Sequence, residues 1–358
     1  MKGKYIRLKT KEPSKKDEQK KLKVFNYGFA ILKSLLAFLV VSVHNFKSES
    51  TNNKIVLFIT KNRRYHVPSF FILSFYFMHN NLLTLKPKII LNRLMRLFIP
   101  YIGWPIIIWI INHYWNKKYN SNFAVSFEEL KLQLLWGHNF LAIYWFLWNL
   151  IAITILFTII IFIFRKHSIF ILQIVLILCY ISQYSGYYYY KIMKKFSQRP
   201  AKTIGSFFED TPFAVIGFIF AHYKIIDKLQ NNKIKTLILS ILIYNFFDDY
   251  NIFVKIKHGL YPGFKLNIRA ICIIFIFSLF PSEKITNKYI SKFLQTITNY
   301  TGPVYYLHIP LSRYLSYYNK DVKYLTFRGL FIDYFACYCV GFFGTLIFGK
   351  TPLKYLFC

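Results

Sequence analysis

The chain has 358 residues, 55% of them hydrophobic and 21% aromatic with only 17% charged, and its apolar residues come in runs of about twenty. Runs of that length describe a polytopic membrane protein rather than a soluble globular domain. A formal net charge of +33 would suggest nucleic acid in a soluble protein; here the Lys and Arg lie mostly in short segments between apolar runs, where they anchor and orient helices, and no RNP, zinc-finger or helix-turn-helix pattern accompanies them, so no nucleic-acid partner is expected.

The first 24 residues hold ten Lys or Arg and lead into an apolar stretch with no small-x-small cleavage signal, which predicts an uncleaved anchor behind a disordered basic tail. That stretch, Phe29 to Phe46, carries only two ionisable side chains, Lys33 and His44. Eleven residues of α-helix make roughly three turns, so the two share one face about 16 Å apart. A Lys near the centre of a membrane helix costs about 2.5 to 3.5 kcal/mol on insertion scales, which marks it as functional by default. The alternative is that Lys33 snorkels and His44 sits at the far interface.

Candidate spans are 27–46, 67–85, 97–115, 140–164, 168–190, 207–223, 235–250, 266–282, 298–318 and 327–349. The expected fold class is therefore all-α, a polytopic membrane helix bundle of about ten transmembrane helices, with a basic tail over 1–24, the membrane domain over 25–350 and a short C-terminal tail over 351–358. An even number of spans puts both termini on one side, and the basic tail makes that side cytoplasmic.

After the first span, the polar stretch SESTNNK and the segment IVLFI–KNRRYHVP are too short to cross and read as an external loop or re-entrant segment. The second span opens with Pro68 in its first turn. In KPKIILNRLMRLFIPY, Arg93 and Arg96 share a face of a short amphipathic helix lying at the cytoplasmic surface, either as topogenic charge or as an anion site. SFEEL is a capping box, Ser126 preceding Glu129, and predicts a short helix along the outer surface. Tyr144, Trp145 and Trp148, and later the run Tyr187 to Tyr190, read as interfacial aromatic belts. Glu209 and Asp210 stand at the mouth of the sixth span, where they bind sugar hydroxyls or cap the helix N-terminus; Asp248 and Asp249 end the seventh span with the same ambiguity. His308 and Arg313 lie inside the ninth span with Pro310 as a kink, and a buried Asp333 in the tenth needs a cationic partner such as Arg313 or Lys33. The five cysteines, Cys179, Cys272, Cys337, Cys339 and Cys358, are odd in number and lack metal-binding spacing, so neither a disulfide framework nor a metal site is expected.

No GxSxG elbow, HExxH, Walker loop, GxGxxG or DxD pattern occurs in a supporting context, which leaves intramembrane chemistry. In order along the chain come Lys33 to His44, VPSFFILSFYF, NRLMRLFIPY, YWFLWNL, FAVIGFIFA and YYLHIPL. This sequence of words resembles the acyltransferase-3 family of integral membrane acyltransferases over about residues 25 to 350. The resemblance implies transfer of acetyl or related acyl groups onto hydroxyls of cell-surface polysaccharides and lipid-linked glycans. His44 matches the family's first-helix histidine, while Lys33 stands where Arg is usual, keeping the charge without the planar fork. Phe75 replaces a glycine of the second helix, which implies different packing there. Arg93 and Arg96 match the basic pair before the IPY word, Trp145 matches the WFL word and His308 the late Tyr-x-His word.

From this resemblance, His44 is expected as general base, with Lys33 holding a donor phosphate or the thioester carbonyl, and Arg93 and Arg96 the nucleotide phosphates. Glu209, Asp210, His308 and Trp145 fall to the acceptor. The donor is acetyl-CoA or another acyl-CoA used as substrate, with no tightly bound cofactor. The partners are membrane lipids and a glycan or lipid-linked saccharide, and the location is the plasma (inner) membrane with cytoplasmic termini. The alternative is a transporter or flippase of a glycan lipid, its path lined by the same charges.

Overall fold

The computed structural model describes residues 27–45, 65–119, 125–137, 141–193, 198–249, 262–280, 288–319 and 327–357. The basic tail 1–24 and the stretch 46–64 lie outside the described residues, as do the side chains of Tyr187 to Tyr190, Asp248 and Asp249. Every expected span is occupied by a helix: α1 (Tyr27–Asn45), α2 (His66–Leu83), α3 (Pro87–Tyr119), α5 (Trp145–Phe164), α6 (Ser168–Met193), α7 (Gln198–His222), α9 (Lys233–Asp249), α10 (Pro262–Ser278), α12 (Thr301–Tyr318) and α13 (Phe327–Phe348). Shorter helices lie between them: α4 (Phe127–Trp136), α8 (Ile225–Gln230) and α11 (Lys288–Asn299). Among the described residues there are no strands, and the protein is an all-α membrane helix bundle.

Among the described residues four stretches are long and apolar enough to cross a membrane on length and composition alone: Tyr27–His44, Pro87–Trp115, Trp145–Ile181 and Arg328–Phe348. The third turns back on itself. Arg165, at φ 38°, opens a one-turn RKH corner, and α5 and α6 on either side pack together. Helix α2, outside this set, carries more polar groups and turns His66, Ser69 and His79 inward, all buried. A polar side chain facing the bundle avoids the cost of facing lipid.

Three contacts show which helix ends sit together. Gly28 of α1 lies against Phe277 and Phe280 at the end of α10. Gln230 Nε2 donates to the Ser278 carbonyl at 2.8 Å, and His79 Nε2 lies 3.3 Å from His222 Nδ1. The start of α1, the ends of α2, α7 and α10 and the start of α9 thus share one end of the bundle. At the other end Tyr65 meets Tyr244, ring centroids 6.4 Å apart, and the Arg269 guanidinium lies 5.2 Å from the Tyr244 ring.

Helices α2 and α7 pack closely, with Gly217 lying against the backbone of Ile72. Small residues permit this approach. A Cβ at Gly217 would collide with the Ile72 backbone, whereas one at Gly205 on the same helix meets nothing within 4 Å. Gly217→Ala should therefore destabilise the protein by about 1 to 3 kcal/mol, the usual overpacking cost, while Gly205→Ala should not. Thermal unfolding in detergent compares them; equal melting temperatures for the two variants would refute the close packing.

Several sequence expectations change. The basic segment before the third span is not a separate surface helix: α3 runs unbroken from Pro87 to Tyr119 through Pro100 and Pro105. Glu209 and Asp210 do not stand at a helix mouth, since α7 begins at Gln198, and no N-terminal cap is formed there. Tyr144 is no belt residue but fully buried, its hydroxyl donating to the Tyr306 carbonyl at 3.2 Å. Pro310 explains that bond: lacking an N–H, it leaves the carbonyl four residues back, that of Tyr306, without a helix partner. The capping box does form, with Glu129 N–H on Ser126 Oγ at 3.2 Å and Ser126 N–H on Glu129 Oε2 at 2.8 Å. After α13 the chain makes a 3₁₀ turn, Pro352–Leu356, whose Leu356 carbonyl accepts from Trp104 Nε1 at 2.8 Å and Tyr306 Oη at 2.7 Å.

Candidate active site

A cavity of about 500 Å³ opens at the end of the bundle that holds the start of α1 and the end of α2. Lys33, Arg93 and Arg96 line it together with Ser74, Asn81, Asn92 and Tyr305. Three residues singled out by sequence, on two helices far apart in the chain, are therefore brought to one place.

Arg93 turns inward from α3. Its Nη2 donates to Ser74 Oγ of α2 at 2.8 Å and its Nε to Thr154 Oγ1 of α5 at 3.2 Å. Thr154 spends its own proton on the Leu150 carbonyl at 2.6 Å, which leaves its oxygen to accept from Arg93. The guanidinium also lies 5.3 Å from the ring of Phe75, a buried residue packed on Phe157 with centroids 4.8 Å apart. The phenylalanine found where the resembling family has glycine thus supplies a face for the cation. Lys33 Nζ sits 5.9 Å from the Phe77 ring. Arg96, more exposed, stands at the rim.

These contacts orient the cations without neutralising them. Among the described residues no carboxylate forms an ion pair with Lys33, Arg93 or Arg96, and every oxygen that holds Arg93 is neutral. Like charges gathered in a partly desolvated space with no counter-ion repel, and an anion entering the cavity relieves that repulsion. Arg93 turns its guanidinium to side chains on two neighbouring helices, a placement that a surface topogenic charge does not require.

His44 and His308 form a second group. Their rings lie 5.0 Å apart at the far end of α1 from Lys33, His44 exposed and His308 fully buried. His308 Nδ1 lies 3.0 Å from the Val304 carbonyl, which can only accept, so this nitrogen carries the proton. Its Nε2 is then a lone pair, and no group hydrogen-bonds to it among the described residues. His308 lies three residues beyond Tyr305 on α12, one helical turn past the cavity wall. His66, which sequence reasoning passed over as a loop residue, is buried at the start of α2 within Coulombic range of His308.

The remaining candidates stand outside the cavity. Asp210 is buried and accepts from Asn149 Nδ2 at 2.7 Å; the same nitrogen reaches Ser206 Oγ at 3.2 Å. Tyr305 lines the cavity and is close enough to this carboxylate to feel its charge. Glu209, its neighbour, points the other way and is exposed. Trp145 opens α5 against the Gly137 corner, where a Cβ would lie 3.1 Å from its Cα, and it does not line the cavity. Asp333 is wholly buried in α13. Cys179, Cys272, Cys337 and Cys339 are free thiols.

Ser74, Thr154, Asn149 and Tyr305 had no sequence signal of their own, since each matters only through a residue of another helix. The model of the acyltransferase-3 family, an acyltransferase domain, matches residues 26–350. No curated protein and no solved structure matches the chain. By that match over nearly its whole length, the chain belongs to the acyltransferase-3 family and is a membrane acyltransferase.

Proposed function

We propose that the protein moves an acetyl or related acyl group from acyl-CoA to a hydroxyl of a cell-surface polysaccharide or lipid-linked glycan, working in the plasma (inner) membrane with its termini in the cytoplasm. The observation that carries this reading is the cavity with Lys33, Arg93 and Arg96 and no carboxylate among the described residues that line it. Such a site suits a polyanionic donor, whose phosphates meet the guanidinium forks while an apolar arm runs inward past Phe70, Phe146 and Tyr305. The acyl-CoA is a substrate, and no resident cofactor is needed.

Lys33 and His44 stand about 16 Å apart along α1, a separation that suits a donor with its charge at one end and its reactive carbonyl at the other. His44 takes the proton of the acceptor hydroxyl as its oxygen attacks the thioester carbonyl carbon. The tetrahedral intermediate collapses with cleavage of the carbon–sulfur bond, and the imidazolium returns the proton to the departing thiolate. His308 backs His44 from within the bundle, and Asp210 with Asn149 offers the acceptor side a polar wall. Trp145 is assigned to the acceptor on resemblance alone, and Glu209 as an exposed acid able to bind a sugar hydroxyl.

Membranes containing the protein, incubated with acetyl-CoA labelled in the acetyl group, should transfer label to surface glycan; membranes without it should not. Movement of glycan lipid across the bilayer with no label transferred would overturn the reading in favour of a flippase.

A further inference from the structure

A second cavity, of about 550 Å³, lies away from the cation site between α9 and α10. Its mouth is polar, with Lys228 at the end of α8, Asn232 in the α8–α9 turn, and Lys235 and Thr236 in the first turn of α9. Its body is mostly apolar, running down Leu239 and Ile243 on α9, with the Ser240 hydroxyl beside them, and past Ile268, Ile271, Cys272 and Phe275 on α10. Lys235 to Ile243 spans eight residues, about 12 Å of helix. That is nearly the half-thickness, about 15 Å, of a hydrocarbon core.

We infer that this groove binds one anionic phospholipid, its phosphate between Lys228 and Lys235 and one acyl chain along the α9–α10 seam. Three observations carry it. Neither lysine has a carboxylate partner among the described residues, so the mouth presents uncompensated positive charge. The polar and apolar parts follow one another along the helix axis in the order of a lipid's headgroup and chain. Ser278, whose carbonyl takes Gln230, and Gly28 against Phe277 put this mouth at the same end of the bundle as the start of α1. It therefore opens at the level where a headgroup of that leaflet lies. The outer surface of α9 beside the groove is apolar and exposed at Ile234, Ile238 and Leu242, so a lipid reaches it from the bilayer without crossing protein.

The test uses the full chain, purified and placed in phosphatidylcholine nanodiscs carrying a minor fraction of spin-labelled phosphatidylglycerol or spin-labelled phosphatidylcholine. Wild type should immobilise the anionic lipid preferentially. Lys228→Ala with Lys235→Ala should weaken that preference about 30-fold, from the usual worth of two lysines at an anionic surface. Ile268→Trp, which fills the body and leaves both lysines, should abolish it as well. Lys350→Ala, a basic residue remote in sequence from the groove, should leave it unchanged. No anionic preference in the wild type, or a preference that survives the double substitution, would overturn the proposal. So would retention by Ile268→Trp, which would reduce the groove to a pair of surface charges, or full displacement of the lipid by inorganic phosphate.

Discussion

His44→Ala protein is expected to insert and accumulate normally and to turn over about 10² to 10⁴ times more slowly, the usual worth of general acid-base catalysis. The size follows from its role. His44 does not line the cation cavity but lies beside His308 at the opposite end of α1, so removing its ring takes away a proton acceptor and leaves the donor's anchorage intact. The Michaelis constant for acyl-CoA should stay within a few-fold of wild type while kcat collapses. His308→Ala is the informative companion. Its Nδ1 donates to the Val304 carbonyl, and its buried Nε2 keeps a lone pair. Stopped turnover with the same acyl-CoA affinity would join the two rings in one function. His44→Ala protein present at normal level and acetylating at the unmodified rate would exclude the base assignment.

Arg93→Ala should act the other way, on donor affinity. A hydrogen bond to a charged group contributes about 1.5 to 3 kcal/mol, so loss of the guanidinium should raise the dissociation constant of acetyl-CoA about 10- to 100-fold. Arg93→Lys keeps the charge, loses the fork that spans Ser74 and Thr154, and should fall between. Lys33→Arg should preserve or tighten binding by restoring a planar fork, whereas Lys33→Ala should weaken it. Calorimetric titration of purified protein with acetyl-CoA measures all four. If Arg93→Ala lowers only the amount of inserted protein and binds the donor as wild type does, the residue is topogenic after all.

The positions of the helices were legible in the chain because a membrane imposes a length on apolar runs, and side chains that leave such a run are conspicuous. The shared face of Lys33 and His44 followed from helical period alone, and the Ser126–Glu129 cap from two residue types at a fixed offset. What the chain concealed lies between helices. Arg93 is held by residues 19 and 61 positions away, and no local pattern marks Ser74 or Thr154 as its partners. Asp210 looked like a helix cap because FFED precedes an apolar run; the preceding turns of α7 are helical in spite of their polarity. Tyr144 looked interfacial because aromatic rings usually are, and only the carbonyl vacated by Pro310 on another helix gives its hydroxyl a reason to be buried. α11 was readable and missed: Ile290, Phe293, Leu294 and Ile297 recur at helical spacing, but twelve residues fall short of a membrane crossing.

The contact of Gly217 with the Ile72 backbone also bears on motion. Two helices in backbone contact have no layer of side chains to slide on, so α2 and α7 travel as one body. Ser74, which grips Arg93, rides on the first, and Asp210 rides on the second. An opening that admits a donor or releases a product is then expected from displacement of α3 or α12 against this pair, with the Arg93–Ser74 bond as the first link to stretch when α3 swings away.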